Sequence, residues 1–362
     1  MMTRLLMTTA LVLATAGAAS AQGKVLNVLN WGGAYGAAHA KAYDAPFEQE
    51  TGINVVVSDA DNPSVPIKAM VEAGNVTADV ASVAYADAVR LCDEGALEEI
   101  DPAILAPATD GTPAEEDFME GAVSECFIST DVYSMVIAYD ETKFPDAKPT
   151  SAADFFDLEK FPGKRTMRKG PKFNLELALM ADGVPADEVY DRLSTPEGVE
   201  QAFAKLDTIK KNVVWWEAGA QPPQLLADGE VSLAFAFNGR IFDAAIGEGK
   251  PFKILWDSQI YEMEGWIVPK GAPNKENAME YITFTTTPKQ QARAAELISY
   301  GPPRRSAGEL VGNIEGTDQP MAPHLPTSPE NMKGALASGL DFWVDHDSEL
   351  TERFSSWLAK RG

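Results

Sequence analysis

Val25-Leu26-Asn27-Val28-Leu29-Asn30-Trp31 runs directly into Gly32-Gly33-Ala34-Tyr35-Gly36. The first seven residues form a short apolar run stopped by glycine, which predicts a buried strand. Beyond the glycine-rich loop, an amphipathic pattern over about 37–50 predicts a helix, with Gly52 just past its end. Residues 53–58 are β-branched and predict a second strand. Strand, glycine turn, helix and strand in this order indicate an α/β fold with a largely parallel sheet.

The alternation continues along the chain. Helix, strand and helix are expected at about 66–73, 78–83 and 85–94, and the strand-like 129–139 (STDVYSMVIAY) suits a crossing between two lobes. A second unit follows. Its helices fall at about 152–160, 174–181, 196–211 and 223–228, and its strands at 164–168, 213–216 and 231–237. Residues 252–256 lead towards a second crossing, and 265–269 read as a further strand. Helices at about 275–285 and 288–298 come next, and amphipathic helices from about Asn331 and Glu349 end the chain.

At 362 residues the chain exceeds the size at which one hydrophobic core stops growing. Two lobes are expected, one from 22–138 plus about 265–304, the other from 139–264 plus about 305–362. The N-terminus carries Arg4, an uncharged apolar run over 5–18, then Ala19-Ser20-Ala21. That pattern predicts a signal peptide over 1–21, cleaved before Gln22, and export to the periplasm. No cysteine stands at the cleavage point, and no later stretch approaches the roughly 20 apolar residues of a membrane span. Membrane insertion is therefore not expected.

The formal charge is −24. Such an acidic chain is a poor partner for nucleic acid or anionic lipid. Cys92 and Cys126, the two cysteines, read as one disulfide in an oxidising compartment.

The Trp31–Gly36 segment is also the first chemical lead. Ligands of open α/β sheets bind at the C-terminal ends of strands. Glycines let backbone approach a ligand, and the faces of Trp31 and Tyr35 suit an ammonium group. Core packing of the same two aromatics is an equally open reading. The glycines do not match the dinucleotide fingerprint G-x-G-x-x-G.

Four stretches carry a resemblance: VLNVLNWGGAYG from Val25, PFEQETGINV from Pro46, LLADGEVSLAFAFNGR from Leu225, and EGWIVPKGAPNKENA from Glu264. In order and spacing the chain resembles the spermidine/putrescine-type periplasmic solute-binding proteins of ABC importers. That resemblance implies two α/β lobes joined by crossing strands, with a small amine held between them and an inner-membrane permease as partner. It also implies a monomer without cofactor or metal. Aromatic candidates for the ligand are Trp31, Tyr35, Tyr85 in the loop after the third strand, and Phe237, which precedes Asn238. Glu264 and Glu217 are the acidic candidates.

One stretch departs from the family pattern. Where polyamine binders carry acids, this chain has Lys164-Arg165-Thr166-Met167-Arg168-Lys169-Gly170-Pro171-Lys172, and Arg240 adds a further cation. A diamine would be repelled there, while a carboxylate would be held. A zwitterion such as 4-aminobutyrate thus stands beside the polyamines as the expected cargo. A solvated basic loop is the other reading of this stretch. Thiamine or an anion are alternative cargoes. The histidines His39, His324 and His346 lie in no catalytic motif, so an enzyme is not expected.

Overall fold

The computed structural model describes residues 24–360. The expected signal peptide lies outside the described residues. Ten strands form one mixed sheet: β1 Val25–Asn30, β2 Asn54–Asp59, β3 Val80–Ala84, β4 Val123–Ser124, β5 Phe127–Asp140, β6 Arg165–Arg168, β7 Val213–Trp216, β8 Leu233–Phe237, β9 Phe252–Ile267 and β10 Leu336–Ala337. Their order is β2-β1-β3-β9-β5-β8-β6-β7, with β4 on β5 and β10 on β9.

The two wings are parallel: β1 with β2 and β3 on one side, β6 with β7 and β8 on the other. The centre is antiparallel. There β5 and β9 run side by side over most of their length and join the wings. Every residue of β5 is buried, because protein covers both faces of the sheet. Each wing has its own core. Leu26, Val28, Phe47, Trp266 and Tyr281 pack in the first, and Phe155, Phe161, Leu177, Trp216 and Phe235 in the second.

The β5–β9 register slips twice, between Ser129 and Asp131 and between Met135 and Ile137. Opposite the second slip, Ser258 has a φ of 58°, a value that non-glycine residues seldom adopt. The disulfide joins Cys92, in the helix Tyr85–Asp93, to Cys126 just before β5, 34 residues on. Closing a loop of that length contributes about 3–4 kcal/mol in the chain-entropy account.

The structure corrects four sequence expectations. Gly32-Gly33-Ala34-Tyr35-Gly36 is not a loop, because the first helix already starts at Gly33 and runs through a π-turn to Thr51. Residues 252–256 and 265–267 belong to one continuous 16-residue strand, β9, rather than to two strands. No helix starts at Asn331 or Glu349. Instead one helix, Leu340–Ala359, ends the described chain, its buried Phe342, Trp343, Leu350 and Phe354 continuing a single helical face past Glu349. Lastly, Tyr85 opens a helix rather than sitting in a loop.

Candidate ligand-binding site

The tight entry to the first helix depends on two glycines. Gly32 has φ 63° and Gly33 φ 58°. A Cβ on Gly32 would press on the Asp59 carboxylate at 2.5 Å, and one on Gly33 would collide with the Arg240 guanidinium. Glycine at both positions lets this turn lie against charged groups of β2 and of the helix Asn238–Phe242.

A cavity of about 330 Å3 opens beside it. Trp31, Tyr35, Tyr133, Phe237 and Tyr300 supply aromatic lining, and Arg168, Arg240 and Glu264 supply charge. Volume and lining suit a small polar solute.

Glu264 projects from β9 and is 5% exposed. Its Oε1 accepts hydrogen bonds from Trp31 Nε1 at 2.8 Å and from Ser82 Oγ at 3.1 Å. Its Oε2 receives none from the described residues. Burial, reinforced by the Asp131 carboxylate nearby, holds Glu264 well above the usual carboxylate range. Asp131 lies behind it and accepts from Tyr35 Oη at 2.9 Å and Thr130 Oγ1 at 2.9 Å. Burial pushes Asp131 up to about 7 despite those donors. The Tyr35 hydroxyl is tied into the core, and the residue also lines the cavity.

Two arginines line the same cavity. Arg240 is 7% exposed, and its Nε has no hydrogen-bond partner. Its Nη2 makes a long contact with the Trp31 carbonyl at 3.5 Å, and the Tyr300 hydroxyl lies within its reach. Arg168 lies over the rings of Phe237 and Trp216, at 5.8 and 6.0 Å. Neither arginine forms an ion pair with the described residues.

The basic stretch divides by position. Lys164 is exposed, and Arg165 is buried, donating to the carbonyls of Phe155, Asp157 and Gly163. The segment from Arg168 to Lys172 lines the cavity. Lys172 is neutralised there by Glu262 at 2.6 Å, and Glu262 also accepts from Tyr133 Oη at 2.6 Å. The unpaired cations of the cavity's inner end are therefore Arg168 and Arg240.

Three expected site residues lie elsewhere. The Tyr85 ring packs on Phe127, centroids 4.9 Å apart, because as the first residue of its helix it faces the core of the first wing. Asn238 is wholly buried and ties β5 to the segment after the helix Pro288–Leu297: its Oδ1 accepts from Ser134 N, and its Nδ2 donates to the Ser299 carbonyl. Glu217 is exposed, pairs with Lys169 at 2.9 Å, and lines an adjoining hollow that shares Trp31, Arg168, Phe237 and Arg240 with the cavity.

Sequence reasoning missed Tyr133, Tyr300, Asp87, Arg90, Trp343 and Asp347, all of which line the cavity. Tyr133 was open to discovery, since it sits in the crossing strand. The others come from segments with no local signal for a ligand.

This lining surrounds a solute-sized space with complementary charge, and the fold places it where two wings of a sheet meet. The chain belongs to the bacterial extracellular solute-binding proteins, whose family model matches residues 42–327. It is the substrate-binding component of an ABC transporter and works with a permease. Among its relatives is the gamma-aminobutyric acid-binding protein of Pseudomonas aeruginosa strain PAO1, 46% identical over 96% of this chain and 95% of that one. The spermidine/putrescine-binding periplasmic protein of Escherichia coli K12 is 26% identical over 78% of this chain and 79% of the other. A GABA receptor of known structure superposes with a TM-score of 0.78 at 33% identity, covering 93% of this chain and 98% of the other. Among the described residues no helix is long and apolar enough to cross a membrane.

Proposed function

We propose that the cavity takes a short ω-amino acid of the 4-aminobutyrate type. Its carboxylate lies at Arg240 and Arg168, and its ammonium lies against Trp31 and the Glu264 carboxylate. The observation that carries this reading is Arg240, a buried guanidinium without an ion-pair partner among the described residues. An unpaired buried charge is costly, and a ligand carboxylate relieves that cost. The free Oε2 of Glu264 supplies the opposite pole. A diamine would bring a second cation against two arginines, which disfavours putrescine and spermidine as cargo. The relationship to a gamma-aminobutyric acid-binding protein supports the same choice.

The two wings act as lobes that close on the ligand. Bending is concentrated where the β5–β9 register slips, near Met135 and Ser258. Ligand favours closure only by binding the closed form more tightly. Residues 1–21 are a signal peptide, and the mature chain works as a periplasmic monomer beside an inner-membrane permease.

The test is calorimetric titration of the mature protein with 4-aminobutyrate, putrescine, spermidine and thiamine. Heat from 4-aminobutyrate and none from putrescine is the expected result. Binding of a polyamine or thiamine without 4-aminobutyrate overturns the reading.

A further inference from the structure

The cavity does not stop at the charges just described. One wall is formed by Trp343, Val344, Asp347 and Thr351 of the C-terminal helix, which packs against the helix Tyr85–Asp93 carrying Asp87 and Arg90. The C-terminal helix is firmly built into the second wing. Phe354 and Trp357 pack edge-on to Trp215, with ring centroids at 5.3 and 5.9 Å. Nearer its start, Trp343 Nε1 donates to Glu176 Oε1 at 2.6 Å, and Tyr190 Oη donates to the same oxygen at 3.0 Å. Glu176 is fully buried, and its Oε2 has no partner. A buried acid spent on an indole N–H fixes that ring as a wall.

The charges on this side are unequal. Arg90 is engaged by Asp87, and Lys172 by Glu262. Asp347 is half-buried and has neither an ion pair nor a hydrogen bond among the described residues. Burial, with the Asp87 charge adding to it, raises its carboxyl above the ordinary range against the opposing pull of Lys172, Arg90 and Arg168. The cavity thus offers a half-buried carboxylate on the wall formed by the C-terminal helix, beside Trp343 and Val344, whose apolar surface suits a methylene chain.

We propose that Asp347, with Trp343 positioned by Glu176, forms an outer cation subsite that lets the protein take longer zwitterions. In these the carboxylate stays at Arg240 and Arg168 while the ammonium or guanidinium reaches Asp347. The subsite rests on the reading of the inner end given above. The C-terminal helix then determines which lengths of ω-amino acid are accepted, and Glu176 acts as a positioning residue.

Calorimetry with 4-aminobutyrate, 5-aminopentanoate, 6-aminohexanoate and 4-guanidinobutyrate on the wild-type mature protein and on Asp347→Asn tests this. The longer acids bind the wild type. The substitution weakens 6-aminohexanoate by about ten-fold, the scale of a charged contact, and leaves 4-aminobutyrate within about two-fold. Glu176→Gln, which keeps the shape, shifts the length preference towards shorter acids and changes the tryptophan fluorescence response to 6-aminohexanoate. Failure of all longer acids to bind, or an equal loss for short and long acids, overturns the proposal. If 4-aminobutyrate gives no heat with wild type, the inner-end reading fails. An Asp347→Asn-sensitive signal from 6-aminohexanoate then still supports the outer subsite.

Discussion

Replacing Arg240 by methionine separates a zwitterion site from a diamine site, because the two predict effects of opposite sign. Methionine is similar in length to the arginine stem and fills the space beside Gly33, Gly219 and Tyr300 without its charge. Arg240 is 7% exposed and pairs with no carboxylate of the described residues, so a bound carboxylate is its principal partner. Hydrogen bonds to a charged group contribute about 1.5–3 kcal/mol. At about 1.4 kcal/mol per decade, 4-aminobutyrate should bind roughly ten- to a hundred-fold more weakly. Putrescine should bind no worse than before, and better if repulsion by Arg240 was what excluded it. The empty protein should melt at the same temperature or higher, since an unpaired buried cation has been removed. Titration calorimetry with both ligands, alongside a thermal melt of the empty protein, reads all three. Unchanged 4-aminobutyrate affinity, or a parallel loss of both ligands, refutes the reasoning.

Burial holds the Glu264 carboxyl well above the ordinary range, so an incoming ammonium should favour loss of its proton. Affinity for 4-aminobutyrate then rises as pH climbs from the ordinary carboxylate range towards the raised value of Glu264. The binding heat should vary with the ionisation heat of the buffer in wild type and not in Glu264→Gln; identical heats across buffers would sink the assignment. Asp131 and Glu176, each raised to about 7, bind more protons in the folded than in the unfolded chain. Their contribution to the stability of the empty protein is complete at about pH 4 and is lost as pH rises through about 7. Melting temperatures across that window should fall accordingly, and a rise would contradict it. Gly33→Ala both strains a positive φ and displaces Arg240, so it should lower stability by about 1 kcal/mol or more and weaken the ligand carboxylate contact. A variant matching wild type in both melting and titration would exclude Gly33 from that role.

Much of this protein was legible along the chain. The first strand, from Val25, and the helix that follows the glycines were legible because backbone preferences and apolar periodicity act over a few residues, although the helix starts at Gly33 rather than near 37. The parallel wings follow from that alternation, and Arg168 stood out because the basic stretch departs from the acids that the resembling polyamine binders carry there. Where a side chain lies depends on partners distant in the sequence. Helix direction turns Tyr85 onto Phe127, and Asn238 is consumed by bonds to Ser134 and Ser299. No local rule joins 252–256 to 265–267 into one strand, since β9 owes its length to pairing with β5.

By itself, the sequence determined the α/β class, the cysteine pair and the chemical types gathered near the first strand, all consequences of local pattern and composition. Only the tertiary structure decided which charges remain free. Lys172 is silenced by Glu262, Arg240 is left unpaired, and Trp343 and Asp347 arrive from the far end of the chain. The physical reason is that ion pairing and burial depend on distances in space, and residues more than three hundred positions apart share one cavity wall only after the wings have packed.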